Sequence, residues 1–232
     1  MSGITYVVTG VTEDGAQRAM VDGTQIRLRF EDDRLVVTAG CNTISGRYRL
    51  HGAQLRVEDL SSTDLGCDPS RMDQDAWLAG LLRAPLDLTT GAGATLTSGS
   101  TVLALADRRV VAPDRPLTGT FWVLDTLVDR NVATSVPKGV TAYVRIHDGA
   151  VEVYDGCNAG TGPARVSGDR IVFGDRLQTL RACLGDRGQV ANALSQVLRN
   201  GTTYRIEEQR LTVTRGDRAA SFRAVDGRPT HD

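Results

Sequence analysis

The residues of this chain best suited to chemistry are its four cysteines, and their spacing is regular. Cys41 and Cys67 stand 26 residues apart, as do Cys157 and Cys183, and an offset of 116 carries the first pair onto the second (157 − 41 = 183 − 67 = 116). The first cysteine of each pair sits in Gly-Cys-Asn, at Gly40-Cys41-Asn42 and at Gly156-Cys157-Asn158. Cysteine offers a nucleophile, a metal ligand or a disulfide. A nucleophile needs a base or a positive environment beside it. The three histidines fall elsewhere, His51 and His147 in expected hairpin turns and His231 in the tail. Zinc would need closer ligand spacing, and there is no C-x-x-C. Three disulfide connectivities are possible, and only Cys41–Cys67 with Cys157–Cys183 respects the repeat. Each such loop would stabilise the fold by roughly 3–4 kcal/mol in the chain-entropy model. Four buried thiols acting as small hydrophobes are the alternative.

Disulfides imply an oxidising compartment, so the expected location is extracytoplasmic, in the cell envelope or secreted. The opening Met1-Ser2-Gly3-Ile4-Thr5-Tyr6 reads as a strand and not as a signal peptide, so a leader would be absent from this chain. A cytoplasmic protein with free thiols is the other reading. No apolar run approaches the length of a transmembrane helix.

Other chemistry finds little support. The net charge of −1 recruits neither nucleic acid nor anionic membrane. The 28 acidic residues make chance carboxylate pairs easy, and none is singled out for glycosidase-like work. Glu31-Asp32-Asp33 reads as a solvated turn, since calcium needs more oxygen ligands at suitable spacing. The glycines fall at turns and form no phosphate loop. Arg27, Arg29, Arg47, Arg49 and Arg56 alternate along strands, which suits a solvated face or, more sharply, a basic patch for an anionic partner. No cofactor and no metal is expected.

The elements that must position the cysteines repeat as well. At 232 residues the chain can hold two domains of ordinary size. The expected division is 1–107, an extended linker at 108–116, 117–226, and a disordered tail at 227–232. In the first unit Ile4–Val8, Gln25–Phe30, Leu35–Thr38, Arg47–Leu50, Gln54–Val57, Ala94–Thr97 and Thr101–Ala106 read as strands. A helix follows Pro69, capped by Ser70, with Leu78, Leu81 and Leu82 as its apolar stripe, Trp77 at the edge and Pro85 as its stop. Gly139, Arg145, Val153, Gly162, Gly168, Thr179, Leu194 and Leu198 each lie 116 after an identical residue, Thr179 after Thr63. The second helix carries Val190, Leu194, Val197 and Leu198 and stops at Asn200-Gly201. Asn158–Pro163 reads as a small, flexible loop. The expected class is mainly β with one helix per domain: two tandem antiparallel barrels or bent sheets of about seven strands.

Gly40-Cys41-Asn42 … Gly46-Arg47-Tyr48 … Thr63-x-x-x-Cys67 … Trp77–Leu82, with Gly156-Cys157-Asn158 … Gly162 … Thr179-x-x-x-Cys183 … Leu194–Leu198, resembles the META domain, the HslJ-like family. Tyr6 stands where the family usually opens with Trp, Tyr48 becomes Ala164 in the second copy, and Leu65 and Arg181 replace a common Met. The resemblance implies a small lipocalin-like barrel with a helix. It also implies bacterial envelope proteins, often lipoproteins, linked to heat shock, stress response and antibiotic tolerance. It supplies no catalytic mechanism. A monomer of two domains is therefore expected, non-enzymatic, binding an unknown protein or small-molecule ligand. A lipocalin-like carrier or an inhibitor of an extracellular hydrolase are the alternatives, the latter resting on the 158–163 loop. A filled barrel interior would favour the binding module, and an apolar cavity open at one end the carrier.

Overall fold

A computed structural model describes residues 3–91, 93–199 and 201–230. Met1, Ser2, Ala92, Asn200, His231 and Asp232 lie outside them, and with them part of the expected first strand, helix stop and tail. The chain divides into two compact units, Met1–Pro113 and Asp114–Asp232.

The first unit runs β1 (Thr5–Glu13), β2 (Ala16–Gln17), β3 (Arg27–Glu31), β4 (Arg34–Thr38), β5 (Thr43–His51), β6 (Gln54–Ser62), α1 (Pro69–Arg83), β7 (Leu86–Thr90), β8 (Ala94–Ser98), β9 (Thr101–Asp107) and α2 (Arg108–Val111). The second runs β10 (Phe121–Asp129), β11 (Val132–Ser135), β12 (Tyr143–His147), β13 (Ala150–Tyr154), β14 (Ala159–Ser167), β15 (Arg170–Phe173), β16 (Leu177–Gln178), α3 (Gly185–Val197), β17 (Thr202–Glu207), β18 (Arg210–Arg215) and β19 (Arg218–Val225). In each unit eight antiparallel strands close a barrel. The first orders β1-β3-β4-β5-β6-β7-β8-β9 and pairs β9 back on β1. The second orders β10-β12-β13-β14-β15-β17-β18-β19 and closes β19 on β10. The β1–β9 register shifts between Val8 and Gly10, and the β10–β19 register between Leu124 and Thr126, positions 116 apart. Such bulges bend a strand sharply, as closure requires.

Alternation puts one face of each strand inside, and eight-stranded barrels are just wide enough to be filled by side chains. Leu28, Phe30, Leu55, Leu96 and Leu103 fill the first barrel, and α1 adds Leu78 and Leu82. Trp122, Val151, Leu211, Ala220 and Phe222 fill the second, with Val190, Leu194 and Val197 of α3. Trp122 donates its indole N–H to the Leu117 carbonyl, so the buried ring keeps its polar atom satisfied. Both interiors are packed with side chains.

Several expectations need correction. An eighth strand joins the seven expected in the first unit: Leu86–Thr90, directly after Pro85, forms β7 between β6 and β8. Asn158–Pro163 is no flexible loop: from Ala159 it is β14, paired with β13, β15 and β16, so its neighbours override its small-residue composition. The hydrolase-inhibitor reading loses its loop with this. The α1 cap is Asp68, whose carboxylate accepts from the Arg71 N–H, and Ser70 donates to Asp68. Pro69 at the first helical position fixes that boundary. Ala84 is extended, as the residue before a proline prefers. α3 ends at Val197, before the expected stop. Arg108–Val111, expected as extended linker, makes a helical turn because Asp107 caps it through the Arg109 N–H. In the tail Arg228 pairs with Glu152 and reaches the Tyr143 hydroxyl.

Candidate functional site

In the first barrel β4 ends at Thr38, and the chain turns through Gly40-Cys41-Asn42 against α1. Gly40 is required by that approach: a Cβ there would lie 2.7 Å from the Arg71 carbonyl oxygen. Cys41 is bonded to Cys67, with Cα atoms 6.1 Å apart. Asn42, 9% exposed, is the hub of the loop. Its Oδ1 accepts from the Thr63 hydroxyl at 2.8 Å and the Leu65 N–H at 2.8 Å, and its Nδ2–H donates to the Leu65 carbonyl at 3.3 Å. Thr63 in turn accepts from the Thr43 N–H. The segment before Cys67 is thus bound to the segment after Cys41 through one side chain. The N–H groups of Cys41 and Asn42 donate to the buried carboxylate of Asp75, at 3.1 and 2.7 Å. Its neighbour Gln74 accepts from the Val21 N–H and donates to Thr24 and to the Ala39 carbonyl.

The second barrel repeats the hub. Cys157 is bonded to Cys183, with Cα atoms 6.0 Å apart. Asn158 accepts from the Thr179 hydroxyl at 2.8 Å and the Arg181 N–H at 2.7 Å, and Thr179 accepts from the Ala159 N–H. Gly156 has φ +95°, a conformation that favours glycine. The carboxylate, however, has moved: Asp155 accepts from the N–H groups of Cys157 and Asn158, at 2.9 and 2.6 Å. Adding 116 to Asp75 gives Ala191, and subtracting it from Asp155 gives Ala39. Leu65 and Arg181 bond to the hub through backbone atoms, which explains why neither needs to be Met.

All ten residues singled out from the sequence meet in these two hubs, Gly40, Cys41, Asn42, Thr63 and Cys67 in one and Gly156, Cys157, Asn158, Thr179 and Cys183 in the other. Sulfur, amide and hydroxyl are each engaged in holding the loop. His51 lies exposed in a hairpin, and His147 faces Asp148 at 3.2 Å. Among the described residues no group of three or more His, Cys, Asp or Glu could hold a metal. The arginine face is largely met by its own neighbours: Arg29 by Glu31, Arg47 by Asp59, Arg49 by Glu58, and Arg56 by Gln54. Exposed pairs of this kind are worth little, and they leave a mixed surface rather than a basic patch.

Among the described residues, depressions lie on two sides of α3. The larger, about 690 Å³, lies between α3 and the β10–β11 hairpin. Leu127, Val190 and Val197 give it apolar walls, and Asp129, Asp186 and Arg218 its polar ones. The smaller, about 210 Å³, touches the hub through Asp155 and Asn158 and includes Arg176. Burial pushes the Arg176 guanidinium below its ordinary value, and the Asp155 charge pulls it partly back. No sequence motif marks either cleft. The signal available was the offset itself, because Ala193 in the larger cleft takes the place of Trp77.

The profile of the META domain matches residues 1–109 and again residues 115–226. Among solved structures, an NMR structure of a protein from Burkholderia xenovorans is 21% identical, over 47% of this chain and 83% of that one, with a TM-score of 0.41. A second NMR structure of a protein is 18% identical, over 45% of this chain and 89% of that one, with a TM-score of 0.37. The beta clamp of Helicobacter pylori bound to a DNA ligase peptide is 8% identical, over 99% of this chain and 68% of that one, with a TM-score of 0.24. No curated protein matches the chain.

Proposed function

Because the chain belongs to the META domain family, as two tandem copies, we propose that it is a non-enzymatic binding module working in an oxidising compartment outside the cytoplasm. One observation carries this reading. In both copies the motif's chemistry is spent on structure, with sulfurs joined in disulfides and Asn and Thr side chains saturated by backbone and each other. Disulfides of this kind persist where the surroundings are oxidising. The filled barrel interiors argue against cargo carried inside, so binding belongs on the outer clefts. Stress tolerance in the bacterial envelope, the role the family resemblance implies, is the setting we assign to such a module.

The test is intact mass after thiol blocking, with and without reductant, followed by a non-reducing peptide map of the freshly isolated protein. The expected result is no alkylation before reduction, and bridged peptides Cys41–Cys67 and Cys157–Cys183. Four alkylatable thiols in the native protein would overturn the proposal and return Cys41 and Cys157 to consideration as reactive groups.

A further inference from the structure

The first barrel shows what the space between helix and hairpin accepts. There α1 presents Trp77 to the β1–β2 hairpin, and its indole N–H donates to Glu13 Oε1 at 2.6 Å. The Arg18 guanidinium lies over the ring, 4.3 Å from its centroid, and is itself paired with Glu13 at 2.7 Å. An aromatic ring, a cation on its face and a carboxylate at its N–H together form a plug. Adding 116 to Trp77, Arg18 and Glu13 gives Ala193, Thr134 and Asp129. The two hairpins keep one register under that offset, since Glu13 faces Ala16 and Asp129 faces Val132. In the second barrel, therefore, the ring and the cation are gone, the carboxylate remains, and all three replacement residues line the cleft of about 690 Å³.

We infer that this cleft binds a small planar aromatic molecule carrying a ring N–H, of the indole class, in the place Trp77 fills in the first barrel. The inference rests on the binding-module reading and gives that module its site and ligand class. The ring would lie over Ala193 and against Leu127, Val190 and Val197, apolar surface whose burial drives association. Its N–H would donate to Asp129. Arg218 and Arg130 both approach Asp129 through Oδ1, at 3.2 and 3.7 Å, which leaves Oδ2 for the ligand. Arg218 borders the same cleft and can supply the cation that Arg18 supplies in the first barrel. The volume lies within the roughly 300–1,000 Å³ typical of small-ligand sites. It exceeds what a bare bicyclic ring needs, so a substituted ring fits, and Asp186 is placed to meet an amine on that substituent.

The experiment is a calorimetric titration of the full chain with indole and with tryptamine, paralleled by methyl NMR of Leu127, Val190 and Val197. One site per chain is expected, with tryptamine the tighter of the two. Ala193→Trp, which refills the cleft from within, should weaken binding by about ten-fold or more. Trp77→Ala should open the counterpart cleft and raise the stoichiometry from one to two. Should Ala193→Trp fail to fold, Asp129→Ala decides, because Asp129 sits at the exposed end of the hairpin; it should weaken binding several-fold. Absence of binding at millimolar probe, or binding unchanged in a folded Ala193→Trp or Asp129→Ala variant, would overturn the inference. Neither result touches the thiol map, so failure here and failure of the wider reading are separable.

Discussion

The two barrels solve one problem with the same disulfide and the same asparagine but a different carboxylate. In both, the N–H groups of the Cys-Asn pair point away from the strands and need an acceptor. The first barrel supplies it from the helix, through Asp75, and so ties the motif loop to α1. The second supplies it from the end of β13's own chain, through Asp155, two and three residues away. Each barrel carries alanine where the other has its acid, at Ala191 and Ala39. What the motif requires is a charge at one point in space, and the chain can deliver it from either side. The consequence is mechanical. In the first barrel α1 holds the loop through Asp75 and, at the Ala39 carbonyl, through Gln74, in addition to the disulfide-bearing segment. In the second, the disulfide is the principal link, and α3 begins without a side-chain cap.

The largest expected effect comes from removing the disulfides one barrel at a time. The closed loops have equal length, 26 residues each. Chain entropy alone therefore predicts equal losses of roughly 3–4 kcal/mol for Cys41→Ser/Cys67→Ser and Cys157→Ser/Cys183→Ser. The carboxylate difference predicts that local behaviour diverges. Amide exchange should accelerate more across the segment from Thr179 to Val190 in the second variant than from Thr63 to Gln74 in the first. Equal acceleration in both would show that Asp75 is no tether.

A smaller effect is expected from the acids themselves. Asp75→Ala leaves two N–H groups without their acceptor in a buried setting, at a cost of about 1–3 kcal/mol. Asp155 is only half-buried, so water can replace it and Asp155→Ala should cost less. Adding Ala39→Asp to Asp75→Ala imports the second barrel's solution into the first. A double-mutant cycle by urea unfolding then reads the coupling. Partial rescue supports interchangeable sources of charge, whereas a larger loss for Asp155→Ala than for Asp75→Ala would contradict the comparison.

These acids also mark where the sequence stops being legible. The offset exposes whatever the two copies share: the cysteines, Asn42 and Asn158, Thr63 and Thr179, and the helix leucines. Those residues do form the two hubs and fix the barrel fold. The offset is blind to compensated changes, because Asp75 aligned with Ala191 looks like divergence at an ordinary helix position. Only the folded loop shows that Asp155 has taken over. Trp77 was hidden for a similar reason. At the edge of the apolar stripe it reads as core, and its contacts with Glu13 and Arg18 span residues far apart in the chain. The start of β14 is illegible in the sequence because Ala159-Gly160-Thr161-Gly162-Pro163 has little strand propensity of its own. Gly162 is needed there, since a Cβ would meet the Asp175 carbonyl oxygen at 2.6 Å.

The finest discrimination between the barrels comes from acid. The plug of the first barrel contains a titrating group that its own contacts perturb. The hydrogen bond from Arg18, then that from the Trp77 indole, holds the Glu13 carboxyl below its ordinary value of 4.5. A carboxylate whose folded value is depressed adds stability that is complete above its unfolded value and is lost as the pH falls through the folded one. The Trp77–Glu13–Arg18 contacts should therefore contribute fully above about pH 4.5 and fade below it. The Trp77 indole N–H resonance reports this directly, because its hydrogen bond weakens when Glu13 takes up a proton. Glu13→Gln keeps an oxygen for the indole but removes both the charge and the titration. It should flatten the acid limb of that resonance while leaving Trp122, bonded to the Leu117 carbonyl, unmoved. If the limb persisted in Glu13→Gln, another group would be responsible, and the plug would be held by packing rather than by charge. That outcome would also weaken the case for Asp129 as the acceptor in the open cleft, since Asp129 inherits its part from Glu13.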